Sequence, residues 1–217
     1  MRLFSVNVGH EQTQTKGNEI ETTGIYKVPV AGAVEISYLG IEGDFIGDQD
    51  NHGGPDQAVY VYGSTDYDWW RGELGREIDA GTFGENLTIS GLESATLNIG
   101  DRLQVGGVLL EVTAPRTPCS TLAARMRDPE FVKRYRHGER PGLYCRVIQG
   151  GAVQAGDDVA LLAHTGETVS ILEMFRNHYL RSKDDPTLRR FLAAPISIRA
   201  RVSIERDLRR IAAAAVE

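Results

Sequence analysis

Cys119 is the residue of this sequence with the strongest case for chemistry, and it stands in the segment TPCSTLAARM, residues 117–126. Thr117 can cap a helix through its hydroxyl, and Pro118 suits the first helical position, where a missing N–H costs nothing. The spacing therefore predicts a helix with Cys119 in its first turn. Free backbone amides and the positive end of the helix dipole favour the thiolate over the thiol there. The alternative is an inert, packed thiol at a helix start.

The second cysteine, Cys145, serves as an internal comparison. It lies in GLYCRVI, residues 142–148, and alternates with Leu143 and Val147 on one face of a predicted strand. We interpret Cys145 as a small buried hydrophobic residue. Two cysteines are too few for the four thiolates of an ordinary iron–sulfur cluster, and we expect both to be free thiols rather than a disulfide.

The segment GDFIGDQDNHGGPDQAVYVYG, residues 43–63, combines four aspartates, one histidine and a Gly-Gly-Pro turn. The backbone amides around Gly53 and Gly54 could cradle an anion. A divalent metal site is conceivable, although the spacing around His52 matches no zinc or EF-hand pattern. An acidic turn with an exposed His52 explains the same residues equally well.

Two further segments offer polar groups to a ligand. AGTFGENLTISG, residues 80–91, places backbone amides, a carboxylate and an amide side chain before a strand, where they could read the edge of a heterocycle. A simple glycine-rich loop is the alternative. In HGERPGLYCRV, residues 137–147, Arg140 and Arg146 are candidate phosphate partners, although Arg146 could also point outward from its strand.

The first 165 residues, which must position these groups, have mostly strand patterns. Residues 2–8, 33–40 and 58–63 alternate or are rich in β-branched and aromatic side chains, and residues 100–112 predict a hairpin around Gly106-Gly107. VQAGDDVALL (153–162) repeats the pattern of LNIGDRLQV (97–105), which is consistent with a barrel built from similar hairpins. Short helices are predicted at 64–74, from Pro118, and near 128–136.

After about residue 166 the apolar period changes from 2 to 3.6. Ser170 and Glu173 fit a capping box, and Asp185-Pro186 fits a cap followed by a first-turn proline. A last helix carries one apolar stripe, formed by Ile204, Leu208, Ile211 and Ala215. We therefore predict a mostly β, barrel-like domain at 1–166 and a small helical domain at 167–217, too small for an independent core.

The charge distribution separates these two parts. The net charge of −6 combines −10 in residues 1–167 with +4 in residues 168–217. This acidic body argues against a nucleic-acid partner. Neither a signal peptide nor a membrane-spanning stretch is recognisable, so we expect a cytoplasmic protein with no membrane partner.

Taken in order, the segments resemble the MOSC domain family, and more narrowly its YiiM-like branch. The motifs are HGGPDQAVYVY, GTFGENLTISGL, IGDRLQVGGVLLEVTAPRTPC, GLYCRV and AGDDVALL. The helical tail resembles the 3-alpha domain of that branch, so the resemblance covers nearly the whole chain. It implies a barrel-like fold that holds a molybdenum cofactor of the molybdopterin type. The family's molybdenum-ligating cysteine corresponds to Cys119, and a soft thiolate suits such a metal.

The resemblance also implies an activity and a binding site. YiiM-like proteins are associated with reduction of N-hydroxylated bases such as 6-hydroxylaminopurine, a two-electron removal of oxygen as water that is independent of pyridoxal phosphate. The expected substrate is thus a small N-hydroxylated molecule. Together with the clusters above, the resemblance predicts these cofactor-binding residues: His52, Gly53, Gly54, Asp56, Phe83, Gly84, Glu85, Asn86, Arg116 and Arg140.

Electrons for such a reaction have no evident source within the sequence. It contains no CxxC motif and no GxGxxG dinucleotide fingerprint. We therefore expect an external donor protein, a flavoprotein or ferredoxin, which the basic tail could dock. Two alternatives stay open: a carrier of molybdenum cofactor or sulfur without turnover, and a metal-free enzyme or sulfur carrier that uses Cys119 as nucleophile.

Overall fold

A computed structural model of the chain describes residues 1–214 and shows a mixed sheet with helices on its faces. Its strands are β1 (Arg2–Val8), β2 (Gln12–Lys16), β3 (Glu19–Thr23), β4 (Val28–Pro29), β5 (Val34–Ser37), β6 (Gly40–Ile41), β7 (Val59–Gly63), β8 (Leu87–Ser90), β9 (Arg102–Val105), β10 (Val108–Pro115), β11 (Leu143–Gln149), β12 (Gly151–Val153) and β13 (Val159–Leu162). Its α-helices are α1 (Gln49–His52), α2 (Ser64–Leu74), α3 (Ser120–Met126), α4 (Phe131–Gly138), α5 (Ile171–His178), α6 (Asp185–Ala193) and α7 (Ile198–Ala214).

The largest sheet has eight strands in the order β13-β9-β10-β11-β7-β8-β1-β4. The predicted hairpin around Gly106-Gly107 is confirmed, with Val105 opposite Val108. Strands β7 and β8 are parallel, which requires the crossover that α2 supplies between them. Two smaller units complete the sheets: β12-β5-β6, and a separate β2-β3 hairpin.

The expected barrel is not confirmed, because no closed barrel is found among the described strands. Backbone bonds do link the start of the chain to β13 and the residues before it. The Leu3 amide donates to the Asp157 carbonyl at 2.9 Å, Gly156 donates to Leu3 at 2.8 Å, and Val159 of β13 donates to Met1 at 2.9 Å. These bonds involve only the first residues of the chain. The fold also contains fewer strands than the expected mostly β class, with 33% helix and 29% strand.

Two apolar clusters hold the sheet and helices together. The larger one contains the aliphatic residues of the sheet, including Leu87, Leu103 and Leu110, all fully buried. The second is aromatic and lies under α2 and α4, where Trp70 stacks on Tyr135 at a centroid distance of 5.9 Å. Aromatic rings bury large areas with few rotatable bonds, so this cluster gives a rigid support to the loops beside it.

The C-terminal helices share the main core. Leu188, Phe191 and Ile204 are buried in the same cluster as the strand residues. The Ser170 hydroxyl accepts from the Glu173 amide at 3.0 Å, as predicted, whereas the cap of α6 is Asp184 rather than Asp185. The predicted stripe residue Ala215 lies outside the described residues, and the division at 166/167 stays a prediction. None of the helices within residues 1–214 combines the length and apolar character needed to cross a membrane.

The basic side chains of the tail are mostly engaged within the molecule. Ion pairs join Lys183 to Asp207 at 2.7 Å and Arg189 to Asp185 at 2.5 Å, and further pairs join Arg190 to Glu173, Arg176 to Glu139 and Arg210 to Asp207. Paired charges project a weaker field than free ones, so these contacts give no support to a docking patch on the tail. The external electron donor itself stays a proposal.

Candidate functional site

A cavity of about 440 Å³ opens beside Cys119, which is within the size range of small-molecule sites. Four parts of the chain form most of its wall: the β2–β3 hairpin with the residues that follow it, the 44–52 segment, the 84–86 turn, and the 116–121 segment. Gln57, Tyr60 and Tyr144 complete it. The cavity therefore brings together residues that are far apart in the sequence.

Cys119 lies at the N-cap of α3, not in its first turn as the spacing predicted. Its backbone is extended, with φ −123° and ψ 167°, and its carbonyl accepts from the Ala123 amide at 3.2 Å. Thr117 and Pro118 both precede the helix, because α3 begins only at Ser120. The thiol still lies at the positive end of the helix, half-buried in the cavity wall.

The surroundings of Cys119 favour its ionised form. Burial raises the pKa of the thiol, but the His52 imidazole and the Arg116 guanidinium outweigh it and lower the pKa to about 6. Arg116 Nη2 lies 3.8 Å from the sulfur. Cys145 shows the contrast: it is fully buried, as predicted, and burial raises the pKa of its thiol far above the usual range. Only Cys119 thus has the properties of a reactive or ligating thiol.

Arg116 is a buried cation whose hydrogen-bonding capacity is not fully used. It is only 4% exposed, and its Nη1 atom has no hydrogen-bond partner. Its guanidinium lies over the Tyr60 ring, 5.3 Å from the centroid. A buried unpaired donor is costly to a protein, so this atom points to an acceptor supplied by a ligand.

A second buried group lies in the cavity wall around Asp44. Its carboxylate pairs with the buried Lys27 ammonium and accepts from the Gly9 amide at 2.8 Å and from Asn86 Nδ2 at 2.9 Å. Asn86 Oδ1 in turn accepts from the Tyr60 amide at 3.1 Å. Because these bonds occupy the Asn86 amide, its evident role is to tie the 84–86 turn to the sheet rather than to read a heterocycle.

Five of the predicted site residues line the cavity: His52, Gly84, Asn86, Arg116 and Cys119. The His52 ring is oriented by Tyr144, whose hydroxyl lies 3.1 Å from Nδ1. The same imidazole is a hydrogen-bond partner of Cys119 and lowers the pKa of its thiol.

The other six predicted residues do not line it: Gly53, Gly54, Asp56, Phe83, Glu85 and Arg140. Phe83 is fully buried in the aromatic cluster and stacks on Tyr62, with the ring centroids 4.7 Å apart. Glu85 accepts from Tyr67 Oη and from the Gly81 amide, both at 2.6 Å. These two residues therefore stabilise the 81–86 loop from the protein interior.

Arg140 and Asp56 are occupied by ion pairs. Arg140 Nη1 lies 3.1 Å from Asp66 and 3.0 Å from Glu93, so the carboxylates satisfy the charge that was expected to meet a phosphate. Asp56 pairs with Arg146 at 3.0 Å. Gly53 and Gly54 follow α1 and connect His52 to the turn that contains the ion-paired Asp56.

The β2–β3 hairpin is the part of the site that sequence reasoning missed. Lys16 and Glu21 line the cavity and form an ion pair at 3.0 Å across the hairpin. A Gly-Asn turn signal, Gly17-Asn18, was present in the sequence and could have revealed it. Lys27 carried no local signal, because only the fold brings it to Asp44, one of the aspartates of the 43–63 segment.

The divalent metal site considered for residues 43–63 is not found. Within residues 1–214, no group of three or more His, Cys, Asp or Glu side chains is arranged to hold a metal ion.

The thiol pKa gives a direct prediction for the cofactor-free protein. Alkylation of Cys119 by iodoacetamide should follow a titration with a midpoint near pH 6, because the thiolate is the nucleophile and His52 and Arg116 lower its pKa to about 6. Alkylation rates measured from pH 4.5 to 9, with the site identified by mass spectrometry, check this. A midpoint at pH 8 or above would contradict the described electrostatics, and Cys145 should not react in the folded state.

Comparison with known proteins assigns the family. The MOSC domain profile matches residues 48–160, more than half of the chain. The protein YflK of Bacillus subtilis, described as uncharacterized, is 35% identical over 88% of this chain and 86% of its own length. A protein named reductase from Gibberella moniliformis is 35% identical over 80% of this chain, which corresponds to 31% of that longer protein. The chain belongs to the MOSC domain family.

The structural comparison narrows this assignment. The crystal structure of YiiM from Geobacillus stearothermophilus superposes with a TM-score of 0.78 at 28% identity, covering 95% of this chain and 98% of that one. The protein is therefore a YiiM-like member of the MOSC domain family.

Proposed function

We propose that this protein binds a molybdenum cofactor in the Cys119 cavity and reduces small N-hydroxylated molecules there. The observation that carries the proposal is the pairing of two features at one cavity wall. These are a thiol whose pKa is lowered to about 6 and a buried Arg116 whose Nη1 has no partner. A soft anionic ligand for a metal thus stands beside an unused donor for an anion.

The residues present fit a molybdenum cofactor on three counts. The cavity has a volume of about 440 Å³, its wall contains the buried cations Arg116 and Lys27, and Cys119 faces it as a half-buried thiolate. Arg116 would hold an anionic group of the cofactor, and Cys119 would ligate the metal. When bound, the cofactor supplies a metal that cycles between oxidation states two electrons apart.

The proposed reaction breaks the N–O bond of a substrate R–NHOH. Two electrons and two protons enter, and R–NH₂ and water leave. The electrons come from an external flavoprotein or ferredoxin-type donor, which stays part of the proposal. An N-hydroxylated base of the 6-hydroxylaminopurine type is the substrate class that the family resemblance favours, and the reductase name of one relative agrees with the reaction type.

The protein's own contribution to the reaction includes a proton source and a shielded site. His52 Nδ1 and Tyr144 Oη share a hydrogen bond of 3.1 Å at the cavity wall, and both residues line the cavity. A histidine held in this way can accept or donate a proton at the cavity wall. Phe45, Ile46 and Ile25 add an apolar part to the wall, which excludes water from one side of a bound ligand.

The deciding experiment combines analysis and turnover. Protein purified from a host that makes molybdenum cofactor should contain molybdenum and pterin in equal amounts. It should also reduce an N-hydroxylated base with an artificial electron donor. Bound cofactor without turnover would indicate the carrier function instead. Protein that contains neither molybdenum nor pterin, even after incubation with released cofactor, would overturn the proposal and leave a metal-free cysteine protein.

A further inference from the structure

We propose that Arg199 of the C-terminal helices is a positioning residue that holds the 48–57 segment of the cavity wall. This segment contains α1 and the turn that follows it, and it presents His52 and Gln57 to the cavity. The tail helices thereby act on the site, although none of the described residues of α5, α6 and α7 line the cavity.

The guanidinium of Arg199 spans the two ends of the segment. Its Nη2 atom donates to the Gln49 carbonyl at 2.9 Å, and its Nη1 atom donates to Gln57 Oε1. The planar fork of an arginine can satisfy two such acceptors at once, whereas a lysine ammonium is a single point of charge. One acceptor precedes His52 in the sequence and the other follows it. Arg199 therefore restrains the stretch of chain that carries His52.

The C-terminal end of the 48–57 segment is held by other hydrogen bonds. The Ile198 amide donates to Asp56 Oδ2 at 2.7 Å, and Thr113 Oγ1 donates to the Asp56 carbonyl at 2.6 Å. Asp56 is thereby fixed to both α7 and the sheet. The N-terminal end of the segment is α1, which has only four residues, too few for a helix to be stable alone. The Arg199 contact with the Gln49 carbonyl is therefore most important for holding α1, the end of the segment that carries His52.

This arrangement makes the position of His52 depend on the tail. His52 lies beside Cys119 in the cavity wall and is hydrogen-bonded to Tyr144. If the 48–57 segment loosens, the imidazole loses its fixed place relative to any ligand in the cavity. The effect of Arg199 on substrate handling rests on the proposed function, whereas the bracing contact itself does not.

Amide hydrogen exchange on the full-length, cofactor-free protein tests the brace. The reporters are the hydrogen-bonded amides of His52, Gly53 and Gln57. In Arg199→Gln we expect these amides to exchange about fivefold faster, because two hydrogen bonds to a charged donor are lost. Arg199→Lys keeps the charge but not the fork, so it should restore the protection only in part.

A matched control is available two residues along the same helix. Arg201 Nη2 donates to the Leu192 carbonyl at 3.0 Å, within the tail, so Arg201→Gln removes an arginine without touching the segment. It should leave the exchange of the three reporter amides unchanged. The brace is overturned if Arg199→Gln also leaves them unchanged, or if it accelerates exchange equally throughout α5, α6 and α7.

The loaded enzyme gives a second, separable readout. Arg199→Gln should raise KM for the N-hydroxylated substrate more than it lowers kcat, because the wall contacts the substrate already in the ground state. Faster exchange without any turnover in the unmodified protein would count against the proposed function and leave the brace standing. Altered kinetics with unchanged exchange would remove the brace.

Discussion

Replacing Cys119 by serine should reduce bound molybdenum and pterin to background and abolish N-hydroxyl reduction. A serine hydroxyl stays protonated at neutral pH and is a poor ligand for a metal that prefers sulfur, so the substitution removes the one soft anion in the cavity wall. Cys119 is half-buried at an N-cap and its side chain makes no capping bond. The free energy of unfolding should therefore change by less than about 1 kcal/mol. Metal analysis of the purified variant, with a denaturant titration alongside, checks both statements.

Cys145 provides the control within the same chain. Its side chain is fully buried between strands, and burial raises its pKa, so it stays a neutral thiol. Cys145→Ala should lower the free energy of unfolding by about 1 kcal/mol, the scale of a small core truncation, and should leave molybdenum content and activity intact. A Cys119→Ser protein that keeps its metal, or a Cys145→Ala protein that loses it, would contradict the assignment of the ligand.

Local patterns allowed much of the sheet to be predicted, because those strands carry their own signal. The alternation of residues 2–8 and the Gly-Gly turn at 106–107 correspond to β1 and to the β9–β10 hairpin. The start of α2 at Ser64 was also predicted. The barrel is not confirmed, because closure depends on how the end strands meet. The link to β13 involves only the first residues of the chain, which no local pattern encodes.

The site was predictable only where one segment carried several signals. Cys119 and Arg116 stand three residues apart, and the structure brings them together in the cavity wall. Arg140 was misleading because an arginine near a glycine turn resembles a phosphate ligand, and only the fold shows Asp66 and Glu93 beside it. The partners of Lys27 were equally invisible, since Asp44 lies seventeen residues away on another loop.

Substituting Arg116 by methionine should weaken ligand binding without weakening the fold. The guanidinium is buried with Nη1 unpaired, and a methionine of similar length removes that unsatisfied donor. We expect the cofactor-free variant to unfold at the same or higher denaturant concentration. Loss of a charge-assisted bond to an anionic ligand should cost about 1.5–3 kcal/mol of binding free energy. The pKa of Cys119 should rise above about 6, because the neighbouring positive charge that lowers it is gone.

Arg140→Met is the matched comparison, because Arg140 is the predicted phosphate partner that the structure places in an ion pair. Its removal leaves the fully buried Asp66 carboxylate without its cation, so the free energy of unfolding should fall by about 3 kcal/mol. Cofactor retention, measured as molybdenum left after dialysis, should stay at the level of the unmodified protein. The two arginines thus predict opposite outcomes in the same pair of assays. If Arg116→Met instead lost stability and kept its cofactor, Arg116 would be a structural residue and the anion subsite would have to lie elsewhere in the cavity.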